Sequence, residues 1–158
     1  MTRRRNRTTD SRRHLDWLQK AGEDMRAAEL LLTQCDCRNI CAFHCQQTIE
    51  KALKAFVLVA SDRLVDGHNL TWLCRQALRY DRAFGQWMDE SATLNRFYIE
   101  TRYPTDVPFT ISAERIGVIC KTAREMYDFI CKQVEEEEEE NALDDKPDDM
   151  VGALETER

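Results

Sequence analysis

An all-α fold, an antiparallel up-down bundle of about five helices, is the architecture this sequence predicts. Three observations carry it. Glycine and proline are scarce, at five and three in 158 residues, and sheet proteins usually need more turn residues than that. Apolar residues recur at steps of three and four through most of the chain instead of alternating. The length is that of one domain, enough to bury a single core.

The elements follow in order. Residues 1–10 read as a basic, disordered arm. The first helix is expected from Ser11 to Gln34, with Leu15, Leu18, Ala21, Met25, Ala28 and Leu32 on one face and Asp10 or Ser11 as its cap. The stretch from Cys35 to Asn39 breaks that pattern. A second helix then runs from Asn39 to Ala60, with Cys41, Cys45, Thr48, Ile49, Ala52, Phe56 and Val59 as its stripe. Its half from Ala52 onward is apolar nearly all round apart from Lys54, which belongs to a helix in the middle of a bundle or in a subunit interface. Asp66-Gly67 marks a loop. A third helix is expected over 69–80 and a fourth over 83–101, closed before Tyr103-Pro104 because proline disfavours helix in the residue preceding it. Ser112 caps the fifth, which places Ile116, Ile119, Ala123, Met126, Ile130 and Val134 on one face. Residues 135–158 read as an acidic, disordered tail, helical at most at its start.

Charge is concentrated at the two ends. Residues 1–13 hold six arginines against Asp10, and residues 135–158 hold twelve acids against Lys146 and Arg158, so with a net charge of −6 the body is nearly neutral. The arm is either a solubilising leader or a phosphate contact for nucleic acid. No apolar run reaches the roughly 18 residues of a membrane span, and no apolar stretch follows the basic start as in a secretory signal. A cytoplasmic protein is expected, with its seven cysteines as thiols. Cys37, Cys41 and Cys45 lie in a line about 12 Å long at 1.5 Å per residue, too long for one ion. Cys35, Cys37 and Cys41 at the helix start leave a metal site geometrically open, but packing as small apolar side chains is the expectation, with no metal and no cofactor. Glycine-rich phosphate loops, paired CxxC motifs and serine-nucleophile motifs are all missing, so no motif supports a self-contained hydrolase or kinase.

Chemistry concentrates on the second helix. His44, Gln47, Lys51 and Lys54 follow one another at steps of three, four and three and share a face beside the apolar stripe. Such a seam on a mostly buried helix must find hydrogen-bond partners. One reading is internal pairing, such as Glu50 with Lys54 at i, i+4. The other is a groove where lysines and an imidazole meet a phosphate or a base. Arg102 and Tyr103, at the expected end of the fourth helix, are candidates to line the same cleft. His68, next to Gly67, is expected to hydrogen-bond the backbone at a helix start.

The run from Cys41 to Phe56, CAFHCQQTIEKALKAF, resembles the central helix of the HEPN (higher-eukaryote and prokaryote nucleotide-binding) domain family. AGEDM and AAELL in the first helix, Gly67-His68-Asn69-Leu70, Leu94-Asn95-Arg96-Phe97-Tyr98 and Thr101-Arg102-Tyr103-Pro104 follow in the family's order, so that the resemblance spans residues 14–134. It implies a helical bundle that forms a homodimer. It also implies a nucleotide or RNA ligand and, in toxin–antitoxin modules, a minimal nucleotidyltransferase as partner. Ribonuclease members use an arginine and a histidine with four to six residues between them, on the later helices. There the histidine would act on the 2′-hydroxyl proton and the arginine would stabilise the phosphorane charge. Here no histidine follows His68. The pairs with suitable spacing are Arg7 with His14, Arg63 with His68, and Arg38 with His44, the last being the residual catalytic candidate. The expected function is therefore a nucleotide- or nucleic-acid-binding module, through His44, Gln47, Lys51, Lys54, Arg102 and Tyr103. The alternative is a metal-independent ribonuclease toxin with a non-standard pair.

Overall fold

A computed structural model describes residues 9–98, 103–106 and 110–145. Among them are five α-helices and no strand: α1 (His14–Leu31), α2 (Arg38–Ser61), α3 (Leu70–Leu78), α4 (Met88–Asn95) and α5 (Ala113–Asp144). None is long and apolar enough to cross a membrane. A 3-10 helix over Arg82–Trp87 leads into α4. The arm as far as residue 8, Arg102, and the chain beyond Asp145 lie outside the described residues.

α2 is the axis of the bundle, packed against α1 on one side and α5 on another, with α3 and α4 closing a third. Its residues Ala52 to Leu58 are all buried, as the nearly unbroken apolar run requires. α1 meets α2 through Ala21, Met25 and Ala28. Two alanines in that stripe let the backbones approach closely. Leu15, expected inward, is 51% exposed, while His14 and Trp17 in the same turn contact α5 and α2. The expected side-chain cap is not used either. Arg13 occupies the cap position without one, and Ser11 Oγ donates to Asp16 at 2.6 Å instead.

The aromatic centre joins α2 to the later elements. Phe56 and Phe84 lie 4.4 Å apart between ring centroids, and Phe129 of α5 meets Phe84 edge-on at 5.1 Å. Pairs of this kind contribute about 0.5–1.5 kcal/mol beyond the area they bury. Phe84 is reached through the 3-10 helix, so the segment expected as one fourth helix over 83–101 is divided. Asp81 caps the 3-10 turn by accepting from Ala83 N. α4 then runs only to Asn95, whose Oδ1 accepts from Leu70 N at 2.8 Å and so ties its end to the start of α3.

α5 continues through the acidic run to Asp144, beyond the expected end at Val134. Glutamate is a good helix former, and the extension has contacts. Glu138 pairs with His14 Nε2 at 2.5 Å, and Asn141 Nδ2 donates to Val59 O at 3.3 Å. The helix closes at its start as the sequence predicts, with Ser112 Oγ accepting from Arg115 N at 3.1 Å. The loop between α2 and α3 depends on two left-handed residues, Asp62 at φ 53° and Gly67 at φ 100°.

Ser112→Ala should cost about 1 kcal/mol through the lost cap. Gly67→Ala should cost about 1–2 kcal/mol through left-handed strain. Both should shift the urea midpoint without changing the slope of the transition.

Candidate functional site

A carboxylate on α2 organises the polar seam. Glu50 is 4% exposed and accepts from four side chains. Its Oε1 takes Lys54 Nζ at 2.9 Å and His68 Nδ1 at 2.9 Å. Its Oε2 takes Gln46 Nε2 at 3.3 Å and Gln47 Nε2 at 3.1 Å. Gln46 also donates to the carbonyl of His68 at 3.2 Å, so both the side chain and the backbone of His68 hold the loop onto α2. Lys54 is 5% exposed, and its ammonium also sits 5.5 Å from the centre of the Trp17 ring. A buried charge needs this density of partners, since neither member of the pair retains water.

A second carboxylate, Asp24 on α1, collects the rest of the seam. His44 Nδ1 donates to Asp24 Oδ1 at 2.8 Å, and Lys51 Nζ donates to Asp24 Oδ2. Burial pushes the Asp24 carboxyl up, but the hydrogen bonds from His44 and Lys51 outweigh it and hold the group below the usual carboxylate range. A carboxylate can only accept, so Nδ1 of His44 carries the proton. In the neutral ring, Nε2 is then the basic nitrogen. The side chains of His44 and Lys51 are 27% and 25% exposed, so both donors of this cluster reach the surface, whereas the Glu50–Lys54 pair is buried.

Rings connect the two clusters. His68 stacks on Tyr98 with centroids 4.4 Å apart and planes 13° from parallel. Tyr98 is 6.5 Å from Phe43, and Phe43 meets His44 edge-on at 5.8 Å. The row His44, Phe43, Tyr98, His68 runs along a partly exposed margin of α2, with the side chain of His68 52% exposed.

The four seam residues named from the sequence therefore share a face, as their spacing requires, but two carboxylates divide them. His44 and Lys51 belong to Asp24; Gln47 and Lys54 belong to Glu50. Tyr103 is 58% exposed, and Arg102 lies outside the described residues. Arg38 does not meet His44 within the chain: its Nη1 donates to Ile111 O at 3.4 Å, towards the start of α5. His68 bonds a side chain, where a backbone partner was expected. Asp24, Phe43 and Tyr98 were not singled out by sequence reasoning. Asp24 sits among solvent-facing acids of α1 and carries no local mark of its partners. From the sequence, Glu50 is a flank of the seam's face, with Gln46, and a partner for Lys54, although two glutamines and a lysine within four residues of it are a usable signal for a buried carboxylate.

The thiols gave one surprise. Cys41 and Cys45 converge with Cys120 of α5, their sulfurs all within 4.8 Å of one another and all three residues buried. Hydrogen bonds from Cys41 and Cys45 draw Cys120 towards thiolate, and the hydrogen bond to Cys120 correspondingly pushes Cys45 up and Cys41 up to about 12.

Comparison with known proteins matches residues 14–137 to the model of the HEPN domain. The chain belongs to the HEPN domain family. HEPN domains are nucleotide- and RNA-related helical modules that commonly form dimers. A comparison with curated proteins gives no match. Among solved structures, the crystal structure of TT1696 from Thermus thermophilus is similar at a TM-score of 0.69 and 23% identity, over 78% of this chain and 99% of that one. It shares the fold. The matched region of this HEPN domain contains both carboxylate clusters and the whole ring row, and it ends inside the acidic extension of α5.

Replacing Glu50 by alanine should destabilise the domain by about 3–5 kcal/mol, because Lys54 is left buried and unpaired. Glu50→Leu with Lys54→Met should recover most of that loss in chemical denaturation. Asp24 gives a pH prediction. Its folded pKa is depressed, so its contribution is complete above the ordinary carboxylate pKa and is lost as pH falls through the folded value. Urea unfolding between neutral pH and pH 3 should therefore show a shallower decline for Asp24→Asn than for the parent, starting from a lower stability at pH 7.

Proposed function

We propose that this HEPN domain binds a nucleotide or single-stranded nucleic acid along the row His44, Phe43, Tyr98 and His68. The observation that supports the reading is the row itself. Four rings follow one another along a partly exposed margin, one pair edge-on, one tilted and one stacked, and every base has a face that can stack on a ring. Lys51 and the Nε2 edge of His44 offer polar contacts at one end. Gln47, half-buried and bonded to Glu50, offers a further polar group. Arg102 and Tyr103, which follow α4, supply a further cation and ring. Lys54 acts from beneath, by holding Glu50 and through it His68. The reading extends to a homodimer and to a separately encoded minimal nucleotidyltransferase as companion in a toxin–antitoxin pair, both on family resemblance.

Ribonuclease activity through Arg38 and His44 is the weaker reading, because Arg38 is engaged with Ile111 and the two do not converge within one chain. His44 alone has the arrangement of a general base, with Nδ1 fixed by a carboxylate.

Calorimetric titration with ATP, GTP and a short single-stranded RNA should give saturable heat with no cleavage of the RNA on a gel. Tyr98→Leu keeps an apolar side chain against Phe43 but removes the stacking face, and should weaken binding by about 5- to 100-fold. Lys51→Ala with Arg102→Ala should weaken it further and reduce its salt dependence. Binding that is unchanged in both variants would remove this site. RNA cleavage that disappears in His44→Ala would replace the binding module with a nuclease.

A further inference from the structure

We propose that Cys41, Cys45 and Cys120 form a three-thiolate site for a trivalent thiophilic metalloid, with arsenite as the ion that fits it. The three sulfurs come from two helices, two from α2 one turn apart and one from α5, and lie within 4.8 Å of one another. A three-coordinate centre with bonds of about 2.3 Å needs sulfurs no more than about 4.0 Å apart. Small rotations about χ1 close the difference. Cys41 Sγ also lies 3.2 Å from Ala28 O, so α1 covers the site from another side.

The donor set and the surroundings select the ion. Three sulfurs without an oxygen donor reject calcium and magnesium. Among the described residues no fourth His, Cys, Asp or Glu joins the cluster, and zinc in structural sites wants four ligands. Charge then decides among soft ions. Three thiolates carry −3, so copper(I) leaves −2 and zinc(II) leaves −1, while a trivalent centre leaves a neutral complex. The three cysteines are part of the hydrophobic core, each 3% exposed or less, where an uncompensated charge is costly. The reaction conserves charge and oxidation state throughout. Arsenous acid, As(OH)3, meets three thiols; three As–O bonds break and three As–S bonds form. Each hydroxide leaves with one thiol proton as water. No oxidant or reductant is required and no net proton is released. The product cross-links α2 to α5, the two longest helices of the bundle.

The test uses the full chain with sodium arsenite under reducing conditions, read by native mass spectrometry and thermal unfolding. The parent should gain one arsenic and lose three hydrogens, and its Tm should rise. Cys35→Ser with Cys37→Ser removes the exposed and the half-buried thiol near the start of α2 that could chelate arsenic on their own, and should bind as the parent does. Cys120→Ala and Cys120→Ser should each lose more than about 100-fold in affinity, beyond the 10- to 100-fold typical of losing a supporting residue around a metal. If neither Cys120 variant folds, X-ray absorption of the arsenite-loaded Cys35→Ser, Cys37→Ser protein decides: three sulfur neighbours support the site, and two or none overturn it. Binding that survives in a folded Cys120 variant, or that vanishes with Cys35 and Cys37, would also overturn it. So would tighter binding of zinc(II) or copper(I) than of arsenite.

Discussion

The bundle depends on a carboxylate placed where a carboxylate is expensive. Glu50 lies midway along the central helix, buried and bonded to its own helix and to the loop before α3. It is tolerated because four donors converge on its two oxygens. Three of them, Gln46, Gln47 and Lys54, come from the same helix within four residues, so they are in place once α2 forms. The fourth, His68, requires the loop to close. Satisfaction of Glu50 is therefore a condition on the tertiary fold and not only on one helix. The same contact fixes His68 in the position where it stacks on Tyr98. A buried polar group of this kind specifies one arrangement of the loop, where a purely apolar contact would accept several.

Much of this was legible in the sequence, and the limits have physical reasons. The helices of the bundle could be read because their stripes are long and regular: Ala21, Met25 and Ala28 on α1, and Ile116 through Val134 on α5, are buried as their spacing requires. Ser112 acts as a cap because capping is local. The start of α1 was misplaced because Ser11 finds Asp16 as a partner in place of the helix backbone. The division of the fourth helix comes from a tertiary demand, since Phe84 has to reach Phe56 and Phe129. The seam on α2 was visible from spacing alone, but its partition was not. Asp24 and Tyr98 are brought to it by other helices, and nothing in their own neighbourhoods announces that. The convergence of Cys120 with Cys41 and Cys45 is the same kind of fact: the line of cysteines on α2 excluded one ion along the helix, but it said nothing about a sulfur arriving from the side.

The partition also changes how the seam acts. Lysines at Lys51 and Lys54 read as a phosphate-binding strip while their partners are unknown. In the folded chain each is matched by a carboxylate, so the face is close to neutral and its outward character is aromatic. Stacking with support from a paired lysine is a different chemistry from an electrostatic groove. It discriminates less by charge and depends more on the exposure and orientation of rings. The two carboxylates then serve as supports. Asp24 sets the tautomer of His44, and Glu50 sets the position of His68.

The most direct measurement follows the imidazole rings by NMR during titration with ATP and with a short single-stranded RNA. The chain has three histidines, so each can be assigned. His44 and His68 lie at the two ends of the row, whereas His14 pairs with Glu138 away from it. Binding along the row predicts that the ring signals of His44 and His68 shift together and saturate, while those of His14 stay in place. Saturable binding that leaves His44 and His68 unmoved, or that moves His14 alone, would contradict it.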